Sequence, residues 1–342
     1  MASPGVTATT SGAAKEEMVR HAHRVFVLAM SLAMAAGMIL AGPAADAEAA
    51  TFAAFYPTQS FDDRGADVRA LQHLLRFHGI NQEVNGNFGA HTVEAVKTFQ
   101  RRNKLTPDGI VGPATWAKLT PTLRHGMRNE AVRALQLELD AKFGASIAVQ
   151  GHFDDHTLAV LKRFQGHMGL AETGIVDETT WRNLIWHYDH ISFASGGLCD
   201  YGNTAANWGT ASGVAFLEYA GRLNVARGDG KIAVGDMALE HGGHFDDHVS
   251  HHVGLDVDIH PIRKDRVCSG AQVTWQSSTY DRNATRRLIK ALHDAAPRHV
   301  KLILFNDPVL IREGLTIFTA NHDNHLHVRY CEAAHPDSSY VC

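Results

Sequence analysis

Two small all-α modules of three helices each, followed by a larger α+β domain, form the multidomain fold class that this 342-residue sequence predicts. Three observations point to it. Residues 64–186 repeat themselves at a nearly constant offset. From about residue 188 the repeat stops, and glycine-rich loops with short alternating strands replace it. Ahead of both lies a stretch patterned for export and not for folding. The composition, 45% hydrophobic and 20% charged, is that of a folded protein and excludes wholesale disorder. Thirty-two basic against 36 acidic residues give a net charge of −4, so a nucleic-acid or anionic-membrane partner has no electrostatic warrant. Histidine usage is the outlier: of 23 in all, six fall between His241 and His260 and three between His322 and His327.

In residues 1–50, Lys15, Arg20 and Arg24 precede an apolar run from Val25 to Gly42. Small residues follow, with Ala45-Asp46-Ala47 and Ala47-Glu48-Ala49 as A-x-A cleavage sites. Charged, apolar and small segments in this order predict a secretory signal peptide. The run is just long enough to span a bilayer uncleaved, but its Ala and Gly content and the A-x-A sites favour removal. Residues 51–63 are expected to be a linker. The mature protein is thus expected in the periplasm or outside the cell, with no stable membrane insertion. An oxidising compartment favours disulfides for Cys199, Cys268, Cys331 and Cys342, whose spacing does not form a C-x₂-C zinc knuckle. Of the three possible pairings, Cys331 with Cys342 closes a short terminal loop and leaves Cys199 with Cys268.

The repeat defines the next two units, 64–121 and 125–187. At an offset of 64, Val68, Leu71, Gln72 and Leu75 recur as Val132, Leu135, Gln136 and Leu139. At an offset of 65, Phe88, Thr92, Phe99 and Gln100 recur as Phe153, Thr157, Phe164 and Gln165, and Gly109, Thr115 and Trp116 recur as Gly174, Thr180 and Trp181. Val68, Leu71 and Leu75 form a stripe of helical period, as do Thr92, Val96 and Phe99. A third helix starts at Pro113, or behind the N-cap Asp177 in the second copy. Trp116 and Trp181 are expected to anchor the cores. No position pairs a nucleophile with a base, so neither copy is expected to be catalytic.

The run GADVRALQHLL…NGNFGAHTVEAVKTFQRRNKLTPDGIVGPATWAKL resembles the peptidoglycan-binding-domain-1 family. That resemblance implies a three-helix wall-binding module and peptidoglycan as partner. The second copy departs from the family at Gly151-His152-Phe153-Asp154 and Val176-Asp177.

In residues 188–342, Phe216 to Leu223 predicts a helix, and Gly235-Asp236-Met237 follows a short strand. The chemical centre is GGHFDDHVSHHVGLDVDI, from Gly242 to Ile259. Leu255 to Ile259 alternates apolar and acidic residues, so a strand there buries Leu255, Val257 and Ile259 and turns Asp256 and Asp258 to one face. A second centre is His322-Asp323-Asn324-His325-Leu326-His327-Val328-Arg329, whose H-x-H places His325 and His327 on one strand face. Zinc prefers imidazole and carboxylate donors, and a catalytic site uses three of them plus water. His251, Asp258 and His327 would supply such a set at a net charge near +1. His252 could replace His251, and His244 with His248 at i, i+4 offers another set. No H-E-x-x-H helix and no G-x-S-x-G elbow occurs, which excludes thermolysin-like zincins and α/β-hydrolase chemistry.

The pattern H-x₆-D followed by H-x-H resembles the zinc peptidases that group lysostaphin, D-Ala-D-Ala peptidases and the hedgehog fold. GDM…GG…HVSHHVGLDVDI and NHDNHLHVRYC resemble the penicillin-insensitive murein endopeptidases within that group. The resemblance implies a central antiparallel sheet and a Zn²⁺ held by His251, Asp258 and His327. It assigns His325 to the water's proton or the oxyanion, His322 to assist, and His248 to a further metal or neighbouring role. The usual Ser-His-Gln is altered here, with His252 in place of Gln. An exported, cell-wall-associated enzyme cutting D-Ala to diamino acid crosslinks is expected. The rivals are a D,D-carboxypeptidase or dipeptidase of the same fold and a non-catalytic wall-binding protein. Every candidate catalytic group lies beyond residue 187, so 188–342 is expected to fold and act without the modules.

Overall fold

The computed structural model describes residues 54–202, 204–243, 250–268 and 273–342; the signal expected in 1–50 lies outside them. Among the described residues no helix is long and apolar enough to cross a membrane. The first repeat folds as α1 (Ala66–Phe77), α2 (Ala90–Arg102) and α3 (Pro113–Leu119). The second folds as α4 (Glu130–Phe143), α5 (Asp155–His167) and α6 (Glu178–Trp186). Pro113 opens α3, and the Asp177 carboxylate caps α6 by accepting the Thr180 N–H at 2.8 Å. The recurring glutamines tie helices to turns. Gln72 and Gln136 accept the N–H of Gly86 and Gly151 at 2.9 and 2.8 Å, and Gln100 and Gln165 accept those of Gly109 and Gly174 at 2.9 Å. Trp116 and Trp181 are fully buried, and their indole N–H groups donate to the carbonyls of Pro57 and Pro121. The packing of α1 on α4 merges both modules into one apolar core.

Residues 54–63 are not the expected linker. Tyr56 is buried and stacked on Trp116, and Gln59 pairs with Val111 as a β-bridge. Leu123 pairs with Val176 in the second copy, and Arg64–Asn87 matches Arg128–His152. Each module therefore starts upstream of its sequence signature. Backbone pairing does not depend on side-chain identity, so Gln59 and Leu123 share a place without sharing a residue type.

The remaining chain contributes β1 (Asp189–His190), β2 (Leu198–Asp200), β3 (Trp208–Gly209), α7 (Ala211–Ala226), β4 (Ile232–Val234), β5 (Asp256–Ile259), α8 (Arg282–Ala295), β6 (Val300–Leu304), α9 (Pro308–Arg312) and β7 (Leu326–Tyr330). The five-stranded sheet has the order β2-β4-β5-β7-β6, and β1 pairs with β3 apart from it. Its pairs are antiparallel except β2 with β4, which is parallel. That exception follows from connectivity, because the chain between β2 and β4 crosses over through α7. In the register of β5 with β7, Asp258 faces His327 and Asp256 faces Arg329.

The modules pack against this domain, and contacts cross from one to the other. Gly65 (φ 116°) lies so close to α7 that a Cβ would stand 2.7 Å from the Ala211 carbonyl oxygen. Arg64 covers the Tyr219 ring at 4.7 Å, and Arg298 pairs with Asp62 at 2.8 Å. Lys142, fully buried on α4, bonds Asp67 and the Ile185 carbonyl at 2.7 Å each and lies 3.6 Å from Glu138. Burial raises the carboxyl pKa values of Asp67, Glu138 and Asp189, the last to about 7, while the Lys142 charge opposes the rise. A cut at residue 187 would separate Asp189 from that lysine. Lys142→Met is expected to cost about 3–5 kcal/mol, because it strands buried carboxyls without their cation. Urea unfolding of the full chain measures it, and a loss under about 1 kcal/mol would deny the joint this role.

Candidate metal centre

A turn from His251 to Val253 ends at Gly254 (φ 66°), where a Cβ would stand 2.9 Å from the Thr210 nitrogen, so only glycine fits as the chain enters β5. Leu255, Val257 and Ile259 then enter the core fully buried. Asp256 and Asp258 both meet His327 on the neighbouring β7. Three donor atoms converge there. His251 Nε2 lies 3.2 Å from His327 Nδ1, His327 Nδ1 lies 3.0 Å from Asp258 Oδ1, and His251 Nε2 lies 3.4 Å from Asp258 Oδ1.

The partners of the other nitrogens settle the tautomers. His251 Nδ1 donates to the Met237 carbonyl at 3.0 Å, and His327 Nε2 donates to Asp256 Oδ1 at 2.8 Å. Both remaining nitrogens therefore turn lone pairs toward each other and toward a carboxylate oxygen. Such a triangle demands a cation or a proton at its centre. Burial opposes protonation of His327, but Asp256 and Asp258 override it and push the imidazole up to about 9. With a proton in place of a cation, the imidazoles donate to Asp258, and those hydrogen bonds hold its carboxyl well below the usual carboxylate range against the opposing effect of burial. Donors held at about 2.0–2.2 Å around tetrahedral zinc stand about 3.3–3.6 Å apart, so the triangle, with edges of 3.0–3.4 Å, needs to open only slightly to take that ion. His251, Asp258 and His327 could hold it.

Asp256 is fully buried and receives Arg329 Nε at 2.7 Å and the Tyr340 hydroxyl at 2.6 Å besides His327. It orients His327 without joining the triangle. Asp256→Asn is expected to weaken zinc about 10–100-fold in chelator competition, the usual effect of disturbing a ligand's orienting partner. Unchanged affinity would confine Asp256 to anchoring Arg329.

His325 stands one residue ahead of β7, outside the triangle. Its Nε2 is 3.8 Å from Asp258 Oδ1, and its Nδ1 meets Asn324 Oδ1 at 3.0 Å. Burial lowers its pKa, partly offset by Asp258. The His322 ring lies 4.7 Å from that of His325, with Nδ1 donating to the Ala320 carbonyl at 2.8 Å. Asp323 braces this loop by accepting from Trp275 Nε1 at 3.1 Å and Asn306 Nδ2 at 3.0 Å. His252, the alternative to His251, instead lines a cavity with Tyr188, His335 and Glu332. His244 and His248 lie outside the described residues. The cysteines are bonded as Cys199–Cys268 and Cys331–Cys342.

Residue patterns alone did not reveal four participants. The Met237 carbonyl and Tyr340 carry no local signal, and Arg329 shows only as the end of H-x-H-x-R. His260 stacks on Tyr201 with ring centroids 3.4 Å apart, and burial first, then His325, lowers its pKa to about 4.

Residues 64–119 and 128–184 match the family described as putative peptidoglycan binding domain, and residues 202–303 match the penicillin-insensitive murein endopeptidase family. The second match includes His251 and Asp258 and stops short of His327. Among curated relatives, an uncharacterised protein in the bpoA1 3′ region of Kitasatospora aureofaciens is 49% identical over 67 residues, 18% of this chain and 55% of that protein. The N-acetylmuramoyl-L-alanine amidase CwlM of Mycobacterium tuberculosis is 34% identical over 121 residues, 32% and 30% of the two chains. The zinc D-Ala-D-Ala carboxypeptidase of Streptomyces albus G is 37% identical over 75 residues, 21% and 28%. The chain thus spans 55% or less of the length of each of these relatives. These matches add to the repeated helices and to the histidine–aspartate triangle on the β5–β7 pair, and the chain accordingly carries two putative peptidoglycan binding domains ahead of a domain of the penicillin-insensitive murein endopeptidase family.

Proposed function

We propose that this chain is an exported zinc metallopeptidase that hydrolyses peptide crosslinks, D-Ala to diamino acid, in peptidoglycan, with its modules holding it on the wall. The observation that carries the reading is the buried triangle of His251 Nε2, Asp258 Oδ1 and His327 Nδ1, whose lone pairs point at one centre. Zinc bound there would supply a Lewis acid and an acidified water. The chain's own groups do the rest. Met237 and Asp256 lock the two imidazoles as acceptors. His325, with Nδ1 engaged by Asn324, presents Nε2 beside the centre, where it takes a proton from the attacking water or donates to the developing oxyanion. His322 assists from the adjoining position. The modules raise the effective concentration of catalytic groups near scissile bonds. No serine is acylated in this scheme, so a β-lactam is not expected to inhibit.

The similarity to a zinc D-Ala-D-Ala carboxypeptidase favours a second reading, trimming of stem ends. Digestion of purified crosslinked muropeptides with and without chelator, read by mass, separates the readings. Monomers from dimers, lost with chelator, are the expected result. Free D-alanine would instead establish the carboxypeptidase, and no turnover would leave a wall-binding protein.

A further inference from the structure

A second cluster of metal-type donors lies outside the site described above. His167 ends α5 and His187 follows α6, both on the second module, whereas Glu240 and His241 stand in a turn of the catalytic domain. One donor atom from each lies within 4.8 Å of the others. Glu240 Oε1 is 3.0 Å from His167 Nε2 and 3.5 Å from His187 Nε2. The His241 ring centre is 5.2 Å from those of both His167 and His187.

His187 makes this more than a polar patch. Its side chain is fully buried, and its Nδ1 donates to the Tyr188 carbonyl at 2.8 Å, which leaves a lone pair on Nε2. That Nε2 faces the cluster, and its nearest polar neighbour is Glu240 Oε1 at 3.5 Å, too long for a full hydrogen bond. A buried polar atom held only by so long a contact is a standing cost, and native structures seldom keep one without a reason. His167 and His241 remain open to solvent, so an ion has a way in. Three imidazoles and one carboxylate suit zinc, and are wrong for calcium or magnesium, which take oxygen donors. Four protein donors also close the coordination shell, the arrangement of a structural site and not of a catalytic one.

We propose that His167, His187, Glu240 and His241 bind a zinc ion that clasps the second module to the catalytic domain. The clasp crosses the docking surface at a sensitive point. Glu240 follows by three residues Met237, whose carbonyl fixes His251 in the first centre. Fixing that turn therefore holds the module and the backbone beneath the first centre in one orientation. The inference does not depend on what the first centre catalyses.

Metal analysis of the full chain, loaded with zinc and dialysed, tests it. The wild type should keep about two zinc ions per chain. His251→Ala should keep one, His167→Ala/His241→Ala should keep one, and the triple variant none. The two replaced clasp ligands are solvent-facing, so misfolding does not obscure the result as it could for His187. In the His251→Ala background, added zinc should raise the thermal midpoint by about 5 °C, and the further change of His167 and His241 should erase that rise. One zinc in the wild type and none in His251→Ala would overturn the clasp, as would unchanged metal in His167→Ala/His241→Ala. If His251→Ala kept both ions while the clasp variant lost one, the clasp would stand and the first centre would be misassigned.

Discussion

His251→Ala, Asp258→Ala and His327→Ala should each remove one zinc per chain and reduce crosslink cleavage about 10³-fold or more, the scale of losing a Lewis acid. The reason lies in the triangle. Two donors that remain after a truncation cannot make up a three-ligand site, and neither Asp258 nor His327 can be replaced by a neighbour from its own strand. Asp256 is the nearest spare carboxylate, but Arg329 and Tyr340 already hold both of its oxygens. His325 Nε2 lies 3.8 Å from Asp258 Oδ1, beyond the 3.0–3.4 Å spacing of the donor set. The fold should survive each change, because the sheet register rests on backbone pairs and on Leu255, Val257 and Ile259 below it. Inductively coupled plasma analysis with a circular dichroism check measures both effects. Undiminished zinc in all three folded variants would sink the ligand set.

The sequence exposes these features unevenly, for identifiable reasons. The six module helices were legible because a duplication prints each apolar stripe twice, and Trp116 and Trp181 recur with it. Residues 54–63 escaped because their place is held by backbone bridges and by the Pro57 carbonyl, neither of which constrains side-chain type. The D-x-D and H-x-H patterns were legible because strand periodicity turns alternate residues to one face. Residue types alone did not decide His251 against His252, since both are polar neighbours on a turn; the family resemblance selected His251, and the fold turns that residue inward. The role of Asp256 needed the β5–β7 register, and that of Tyr340 needed a contact across more than eighty residues. Docking was the least legible feature. Asp67, Glu138, Lys142 and Asp189 lie on three different segments, and no local pattern marks a buried ion group. The same holds for His167, His187, Glu240 and His241.

His325→Ala should behave unlike any ligand change, with full zinc content and a loss of about 10²–10⁴-fold in rate. Position argues for this. His325 sits at the rim of the centre with its side chain 21% exposed, whereas the His251 side chain is only 2% exposed. It can therefore meet a substrate that the triangle itself cannot reach. Its interactions with the reacting water or oxyanion exist only as the bond is attacked, so kcat should carry the loss while KM stays nearly constant. His322→Ala should lose less, because His322 is tied to the Ala320 carbonyl and acts beside His325 and not in its place. Steady-state kinetics on a soluble crosslinked dimer, with metal content measured on the same samples, makes the comparison. A His325→Ala protein that loses its zinc would move this histidine into the ligand set. One that keeps both zinc and rate would transfer the proton-handling role to His322 or to solvent.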